Sequence, residues 1–209
     1  MVEAADVRAA LARVLELTEQ HQAELDQLDA IAGDGDHGVT LVLGWRAANL
    51  ALRRSQPTTP GSALQTAAQA FATVGGSAGA LWGSGLLGAG QALGEMAVID
   101  RTAVAAASTA ALEAMKSRGR CDEGESTILD ALAPAARCLS EGGTLAQAAM
   151  AAARGAAGTA DLEPRKGRAS RSIVGPRGHV DPGAQGCALF FQAVSDCPNT
   201  SELPNRSIE

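Results

Sequence analysis

The sequence predicts an all-α protein, and three observations support this prediction. Aromatic residues make up only 2% of the 209 residues and tyrosine is missing, so the residue types that favour sheets are scarce. Alanine, which has the highest helix propensity, recurs in long segments. Apolar residues repeat at helical spacing between glycine-rich breaks. We therefore expect helices that pack closely through small side chains.

Eight helices are predicted, and turn-forming residues separate them. The glycines of "GDGDHG" end the first helix, "RRSQPTTPGS" separates the second from the third, and "GGSAG" precedes the fourth. "EGGT" separates the sixth from the seventh, and a connection of over twenty residues, "DLEPRKGRASRSIVGPRGHVDPG", precedes the eighth. The predicted helices cover residues 3–28, 38–54, 62–74, 80–97, 102–117, 126–140, 144–159 and 184–195. One domain over 1–196 is expected, with 197–209 as a flexible tail.

Charge and hydropathy patterning argue against two classes of partner. The formal net charge is −6, so the chain lacks the broad basic field that binds nucleic acid or an anionic membrane. No apolar run approaches the roughly 20 residues that cross a bilayer, and the N-terminus lacks the order of a signal peptide. A cytoplasmic protein is therefore expected. The four cysteines form no CxxC pair, which favours buried thiols over a disulfide or zinc framework.

Three aspartates, Asp29, Asp34 and Asp36, crowd the break after the first helix in "LDAIAGDGDHGVTL". The glycine-rich break lets their carboxylates converge, and converging carboxylates repel one another unless cations lie between them. Such ligands suit Mg²⁺, which commonly shares its coordination with phosphate oxygens. A calcium EF-hand does not fit, because Val39 and Trp45 stand where its glycine and glutamate are needed. The alternative is a polar helix cap formed by Asp36.

The remaining conspicuous motifs follow one pattern. In an up-and-down array, the connections after the first, third, fifth and seventh helices lie at one end. "GDGDHGVT", "GGSAGALWGSG", "SRGRCDEGEST" and "RKGRASRSIVGPRGHVDPGA" occupy these connections. Four helix N-termini would then offer N–H groups and positive dipole ends to one anion. With Mg²⁺ nearby, a nucleotide di- or triphosphate is the expected ligand.

Each motif taken alone has a simpler interpretation. "GGSAG" lacks the Gly-Lys-Ser/Thr of a phosphate-binding loop and equally fits tight helix packing. Arg165, Lys166 and Arg168 fit a solvated basic loop, which is the usual outcome for a run of charges, and His37 and His179 equally fit structural roles. Beside a phosphate, Arg168 would instead offset the charge that develops during transfer. The nucleotide interpretation rests on all four motifs falling at one end.

The same motifs resemble the nucleotide-binding L subunit of dihydroxyacetone kinase, the DhaL or DAK2 domain family. The resemblance rests on "LDAIAGDGDHGVTL", "GGSAGALWG", "SRG" followed by "GESTILDAL", and "RKGRAS" followed by "GHVDPGA". It spans residues from about 5 to 195 and implies an eight-helix antiparallel up-and-down barrel, with two Mg²⁺ and ATP or ADP at one end. The implied metal ligands are Asp29, Asp34 and Asp36. The implied nucleotide contacts are His37, Gly38, Val39, Thr40, Ser77, Ala78, Gly119, Ile128, Arg168, Asp181, Pro182 and Gly183.

Three departures from the family pattern leave these metal ligands untouched. "GEST" stands where the family usually has "GDKT", so that Ser126 replaces a lysine. Arg171 stands in place of a tyrosine, and Ser77 and Ala78 are swapped relative to the common order. These changes leave the contacts to the adenine, the partner and the substrate open.

The resemblance also implies a partner. In these kinases a separate K subunit or domain of the DhaK type holds the ketone through a histidine adduct, and no segment of this chain is long enough for that domain. We expect phosphoryl transfer to dihydroxyacetone or a related short ketose, with Arg168 as the catalytic residue and a homo-oligomer as one form of assembly. The phosphoryl source stays open between ATP and a bound ADP recharged by a phosphotransferase-system protein. A regulatory subunit without turnover and a purely structural protein are the alternatives.

Overall fold

The computed structural model describes residues 1–167, 169–171 and 178–198, and helices dominate this part of the chain. The helices are α1 Ala4–Gln20, α2 Gln22–Ala30, α3 His37–Ser55, α4 Pro60–Ala72, α5 Gly76–Leu93, α6 Arg101–Gly119, α7 Leu129–Ser140, α8 Leu145–Gly158 and α9 Pro182–Ser195. Two short strands, β1 Val2–Glu3 and β2 Val98–Ile99, pair antiparallel. Single 3₁₀ turns cover Thr159–Asp161 and Ala169–Arg171. The predicted all-α class is confirmed.

The helices form a closed antiparallel barrel. Each helix from α3 onwards packs against the next, and α9 returns to pack against α1. The consecutive helices α1 and α2 together occupy the place of one helix in the barrel wall. The wall therefore has eight positions, and the predicted eight-helix barrel is confirmed. The sequence predicts one helix over residues 3–28, whereas the structure has two helices that break at His21, whose φ is −102° and ψ is 9°.

Side-chain caps fix where several helices begin. Thr59 precedes α4 and accepts a hydrogen bond from the Ser62 N–H at 3.1 Å, with Pro60 in the first helical position. Thr144 caps α8 in the same way, by accepting from the Gln147 N–H at 3.2 Å. These caps satisfy N–H groups that have no partner inside their own helix.

The five aromatic residues of the chain form one cluster inside the barrel. The ring of Trp45 lies 4.7 Å from that of Phe71, 5.0 Å from that of Trp82 and 5.8 Å from that of Phe190, and Phe191 packs edge-on against Phe190. Such offset and edge-to-face pairs contribute about 0.5–1.5 kcal/mol beyond their buried area. The cluster ties α3, α4, α5 and α9 together across the barrel.

A cavity of about 140 Å³ lies beside this cluster. Its lining includes Val2, Leu93 and Ile99, which lie at the end of the barrel opposite the aspartates, together with Ala107 and Met115 of α6. The lining is almost wholly apolar. Within the described residues, none of the helices has the length and apolarity that a membrane span requires.

The start of α5 differs from the prediction. The helix begins at Gly76 rather than at residue 80, so most of "GGSAGALWGSG" lies inside α5 and not in a connection. Within this motif, only Gly75 and Gly76 adopt positive φ, at +77° and +65°. Later glycines lie against neighbouring helices, Gly83 against Ala72 for example. Close helix packing therefore accounts for most of this motif.

Candidate functional site

The glycine-rich connections meet at one end of the barrel, as the helix order predicts. The ammonium group of Lys166 donates to the carbonyl oxygen of Arg120 at 2.7 Å, and the N–H of Arg165 donates to the carbonyl oxygen of Glu125 at 3.1 Å. These bonds join the connection between α6 and α7 to the connection between α8 and α9. The Lys166 side chain is 39% exposed, as the basic-loop interpretation expects, and also has partners within the fold.

The start of α9 contacts both the start of α7 and helix α2 at this end. A side chain added to Gly183 would lie 3.6 Å from Cβ of Ile128. The Gln185 amide donates to the Glu24 carboxylate on α2 at 3.1 Å. The first contact brings the third and fourth predicted motifs together, and the second joins the start of α9 to α2, the helix that carries Asp29.

Asp29, Asp34 and Asp36 form the most polar feature of this end. One carboxylate oxygen from each residue lies within 4.8 Å of the others. Asp29 is half-buried, whereas Asp34 and Asp36 are exposed. The carboxylate of Asp29 accepts hydrogen bonds from the N–H groups of Gly35, at 2.9 Å, and Asp36, at 3.1 Å. Three clustered carboxylate oxygens are a donor set that fits Mg²⁺.

The glycines around these aspartates are required by the local geometry. A side chain on Gly33 would collide with the carboxylate of Asp29, and Gly35 has a φ of +74° that L-residues rarely adopt. A side chain on Gly38 would collide with the carbonyl oxygen of Gln22, at the start of α2. The chain can therefore fold back sharply enough to bring the three carboxylates together.

The first turn of α3 holds the predicted contacts His37, Gly38, Val39 and Thr40. The N–H of Val39 donates to the carboxylate of Asp26 at 3.1 Å. Sequence reasoning missed Asp26, although it lies one helical turn before Asp29, and this spacing places both residues on one face of α2. In this structure the N–H of Val39, which is predicted to contact the nucleotide, therefore already donates to the Asp26 carboxylate.

The burial of His37 favours the neutral form of its imidazole. Burial lowers its pKa, and the nearby charges of Asp29 and Asp26 oppose that effect. Its ring atom Nε2 is buried and has no hydrogen-bond partner among the described residues. A side chain on Gly186 would lie 3.9 Å from this atom. A buried polar atom without a partner is uncommon in folded proteins, and this nitrogen lies where α3 and α9 pack together.

The start of α5 and the end of α6 form another part of this end. Ser77 is exposed and Ala78 is buried in the first turn of α5. A side chain on Gly75 or on Gly76 would meet nothing within 4 Å, so their conformation keeps this backbone open to solvent. A side chain on Gly119 would lie 3.1 Å from Leu81 of α5. That contact places Gly119 beside the first turns of α5.

Asp181 begins α9, followed by the predicted contacts Pro182 and Gly183. Its carboxylate accepts from the N–H of Ala184 at 2.8 Å. Burial of the carboxyl group raises the pKa of Asp181 to about 7, and the charges of Asp130 and Asp29 contribute. The residue thus lies near the aspartate cluster, at the N-terminus of a helix.

The structure describes the contacts of Glu125 and Ser126, two residues that depart from the family pattern. Glu125 lies 3.7 Å from the Lys166 ammonium group, so the two residues form an ion pair across the two connections. Ser126 is buried, has a φ of +56° and donates from its hydroxyl to the carbonyl oxygen of Thr159 at 3.4 Å. Arg168, the predicted catalytic residue, lies outside the described residues, as does the side chain of Arg171.

Comparison with known proteins agrees with this architecture. Residues 31–196 match the family described as the DAK2 domain. The L-erythrulose 1-kinase of Mycolicibacterium smegmatis is 33% identical over 204 residues, which cover 92% of this chain and 35% of the relative. The ADP-binding subunit DhaL of the PEP-dependent dihydroxyacetone kinase 1 of Listeria innocua is 32% identical over 182 residues, which cover 86% of this chain and 89% of the relative.

A solved structure shares the fold. The dihydroxyacetone kinase from C. freundii, in complex with AMP-PNP and Mg²⁺, aligns with a TM-score of 0.74 and 30% identity, covering 94% of this chain and 34% of that chain. The present chain thus spans about a third of the erythrulose kinase and of the C. freundii kinase. By its sequence match and its barrel, this chain belongs to the DAK2 domain family as a nucleotide-binding domain of the DhaL type.

Proposed function

We propose that this chain binds a Mg–nucleotide at the aspartate end of the barrel and supplies the nucleotide half of a short-ketose kinase. The observation that carries the proposal is the convergence of Asp29, Asp34 and Asp36 within 4.8 Å, beside the first turn of α3. Clustered carboxylates next to a helix N-terminus suit a cation and a phosphate together.

The aspartates would hold Mg²⁺, and two ions are proposed by family resemblance. When bound, Mg²⁺ neutralises phosphate charge and aligns the phosphate oxygens. The cluster would be completed from outside by phosphate, because Asp34 and Asp36 are exposed. Asp29 has a second role, since its carboxylate already fixes the N–H groups of Gly35 and Asp36.

Backbone and small side chains would position the nucleotide around this cluster. The first turns of α3 and α5 offer N–H groups to phosphate oxygens, and the open backbone at Gly75 and Gly76 allows close approach. Ile128 and Gly183 lie next to each other at the same end, where they would flank the nucleotide. Binding phosphate at α3 requires the N–H of Val39 to exchange the Asp26 carboxylate for the ligand. The proposed nucleotide set is otherwise His37, Gly38, Thr40, Ser77, Ala78, Gly119, Arg168, Asp181 and Pro182.

The acceptor is proposed to be dihydroxyacetone or an erythrulose-type tetrulose held by a DhaK-type partner. Relatives named as dihydroxyacetone kinases and as erythrulose kinases both support a short ketose. Arg168 would offset the charge that builds up during transfer. A general base would come from the partner or from groups bound to the substrate.

The phosphoryl donor has two candidates. ATP is supported by the AMP-PNP complex of the C. freundii kinase, and a permanently bound ADP is supported by the relatives named as ADP-binding DhaL subunits of PEP-dependent kinases. We favour ATP because it needs no additional phosphocarrier. A subunit that holds nucleotide without turnover is the second candidate function, motivated by the buried Ser126 in place of the family lysine.

The binding half of the proposal predicts a charge requirement. We expect Asp34→Asn to weaken Mg–ADP binding at least tenfold, because losing a ligand shared between metal and phosphate costs more than about 1.4 kcal/mol. The measurement is isothermal titration calorimetry, with thermal melting to show that the fold is retained. Glu141→Gln is the matched control, since it removes one exposed carboxylate that follows α7 at the opposite end. Equal affinities for all three proteins would refute the metal assignment.

A reconstitution experiment tests the kinase half. The chain is mixed with a DhaK-type subunit and a short ketose, with either ATP or the PEP-dependent phosphocarrier system as donor. Partner-dependent formation of a ketose phosphate with ATP is the expected result. Turnover only with the phosphocarrier would identify bound ADP as a cofactor, and nucleotide binding without any turnover would favour the regulatory subunit.

A further inference from the structure

Asp130 is a buried carboxylate that has no part in the proposed nucleotide or metal contacts. It is 6% exposed and lies at the start of α7. One carboxylate oxygen accepts a hydrogen bond from the N–H of Gly124 at 2.5 Å, and the other accepts from the N–H of Thr127 at 2.7 Å. Both oxygens therefore hold the same loop, residues 122–128, which we name the α7 loop.

The backbone of the α7 loop adopts unfavourable conformations that these hydrogen bonds stabilise. Gly124 has a φ of +92° and Ser126 a φ of +56°, so two of its residues adopt left-handed conformations. Such a conformation is costly for a serine and persists only where the surroundings enforce it. The two hydrogen bonds from Gly124 and Thr127 to Asp130 bracket Ser126 and so fix this turn.

The α7 loop contacts three segments at the end of the barrel that holds the proposed nucleotide site. Its last residue, Ile128, lies against Gly183 in the first turn of α9. Its Glu125 carbonyl oxygen accepts from Arg165, three residues before Arg168 in the sequence. Ser126 donates to the carbonyl oxygen of Thr159, just after α8. These contacts connect the α7 loop to the start of α9, to the segment that carries Arg165 and to the residue that follows α8.

We propose that Asp130 is the positioning residue that sets the α7 loop, and through it Ile128, for nucleotide binding. It acts without touching the nucleotide, by holding the N–H groups of Gly124 and Thr127. This role rests on the proposed function, since it concerns the same nucleotide site. The carbonyl oxygen of Asp130 is in turn packed against Gly155 of α8, where a side chain would collide with it. The start of α7 thus packs closely against α8.

The test is Asp130→Asn, which keeps the shape of the side chain but replaces one acceptor oxygen with an N–H donor. Either Gly124 or Thr127 then loses its partner and faces a donor, which is a buried unsatisfied group. We expect Mg–ADP binding by the isolated chain to weaken at least tenfold. In the reconstituted kinase, KM for the nucleotide should rise at least tenfold while kcat at saturating nucleotide stays within threefold, a split that a general loss of stability does not produce.

Two controls separate positioning from stability. Asp100→Asn makes the same chemical change at the opposite end, where Asp100 accepts from the N–H of Ala103 at 2.9 Å. Thr144→Ala removes the cap of α8 at that end, at a cost of about 1 kcal/mol in stability. Both should bind Mg–ADP within threefold of the parent. If Asp130→Asn does not fold, Asp130→Glu, which displaces both acceptors by one methylene, is measured against the same tenfold threshold.

The outcomes distinguish this inference from the function on which it rests. Loss of affinity in the Asp130 variant alone supports the positioning role. Affinity of the Asp130 variant within threefold of the parent overturns it, and so does an equal loss in Thr144→Ala, because the effect would then follow stability. If the parent chain itself fails to bind Mg–ADP, the proposed function fails, and the positioning role fails with it.

Discussion

The carboxyl group of Asp181 is enclosed by protein, and this enclosure makes stability depend on pH. Burial raises its pKa to about 7, so between about pH 4 and pH 7 the folded chain keeps a proton that the unfolded chain has lost. The stabilisation from this group is therefore complete below about pH 4 and is lost progressively as the pH rises from 4 to the folded-state pKa of about 7. One pKa unit corresponds to about 1.4 kcal/mol, and because the residue as a whole is only half-buried we expect the pH-dependent contribution to be about 1–3 kcal/mol.

The variant Asp181→Asn isolates this effect, because it keeps the side-chain oxygen that accepts from Ala184 and cannot ionise. We expect its free energy of unfolding, relative to the parent, to increase from pH 4 to pH 7.5 by that amount. Denaturant titrations without metal or nucleotide at several pH values measure the difference. A difference that stays constant over this range would show that the carboxyl group does not titrate there.

Arg168 is the residue for which catalysis and binding are expected to separate. If its guanidinium meets the phosphates mainly as charge develops, Arg168→Ala should lower kcat about a hundredfold or more and change nucleotide affinity much less. Arg168→Lys should recover only part of the rate, since an ammonium group cannot form the planar bidentate contact. Steady-state kinetics of the reconstituted kinase at saturating ATP and ketose provide the measurement. If kcat stays within threefold of the parent value, Arg168 has no catalytic role and the interpretation as a solvated basic loop is correct.

The sequence made the aspartate cluster predictable but not its supports. Glycines beside Asp34 and Asp36 in "GDGDHG" indicate a sharp turn that brings carboxylates together, and the structure places them so. Asp26 and Asp130 bind backbone N–H groups 13 and 3–6 residues away. An aspartate near a helix end has many such partners available, and only the packing of the helices selects one.

At the scale of the helix, glycine has two uses here, and a matched pair of variants distinguishes them. A side chain on Gly44 of α3 would collide with the ring of Phe71, whereas one on Gly158, at the end of α8, would meet nothing within 4 Å. We expect Gly44→Ala to lower stability by about 1–3 kcal/mol through overpacking. We expect Gly158→Ala to raise it by about 0.4–1 kcal/mol, because its φ of −64° suits alanine.

Denaturant unfolding of the two alanine variants gives both values under one condition. The pair is informative because the same methyl group is added to a helical residue in each case. Similar effects in both variants would mean that the contact between α3 and α4 at Phe71 is looser than described, and that helix propensity alone determines the outcome.

Helix positions were predictable where side-chain periodicity alone sets them. The boundaries of α3 and α6 lie within two residues of prediction. The start of α5 was missed because Gly75 to Gly79 reads as a helix breaker, although only the first two glycines leave helical φ. The break at His21 has neither glycine nor proline beside it, so no local signal in the sequence marks it.

At the scale of the whole molecule, the barrel separates binding from internal packing. The aromatic cluster includes Trp45, eight residues into α3 and so about 12 Å below the start of that helix. The apolar cavity extends from this cluster toward Val2 and Ile99 at the opposite end. One end therefore presents polar connections to a ligand, while the other end tolerates an imperfectly filled interior.

This separation predicts that the cavity can be filled without changing the nucleotide site. Ala107 of α6 is 7% exposed and lines the cavity, so Ala107→Leu should raise the free energy of unfolding by about 0.5–2 kcal/mol. Ala63 of α4 is fully buried but lies outside the cavity lining, so Ala63→Leu should lower stability by about 1–3 kcal/mol. Mg–ADP affinity of Ala107→Leu should stay within threefold of the parent in calorimetry. Equal destabilisation by both leucines would mean that the interior has no room for a side chain, and altered affinity in Ala107→Leu would mean that packing and binding are coupled through the barrel.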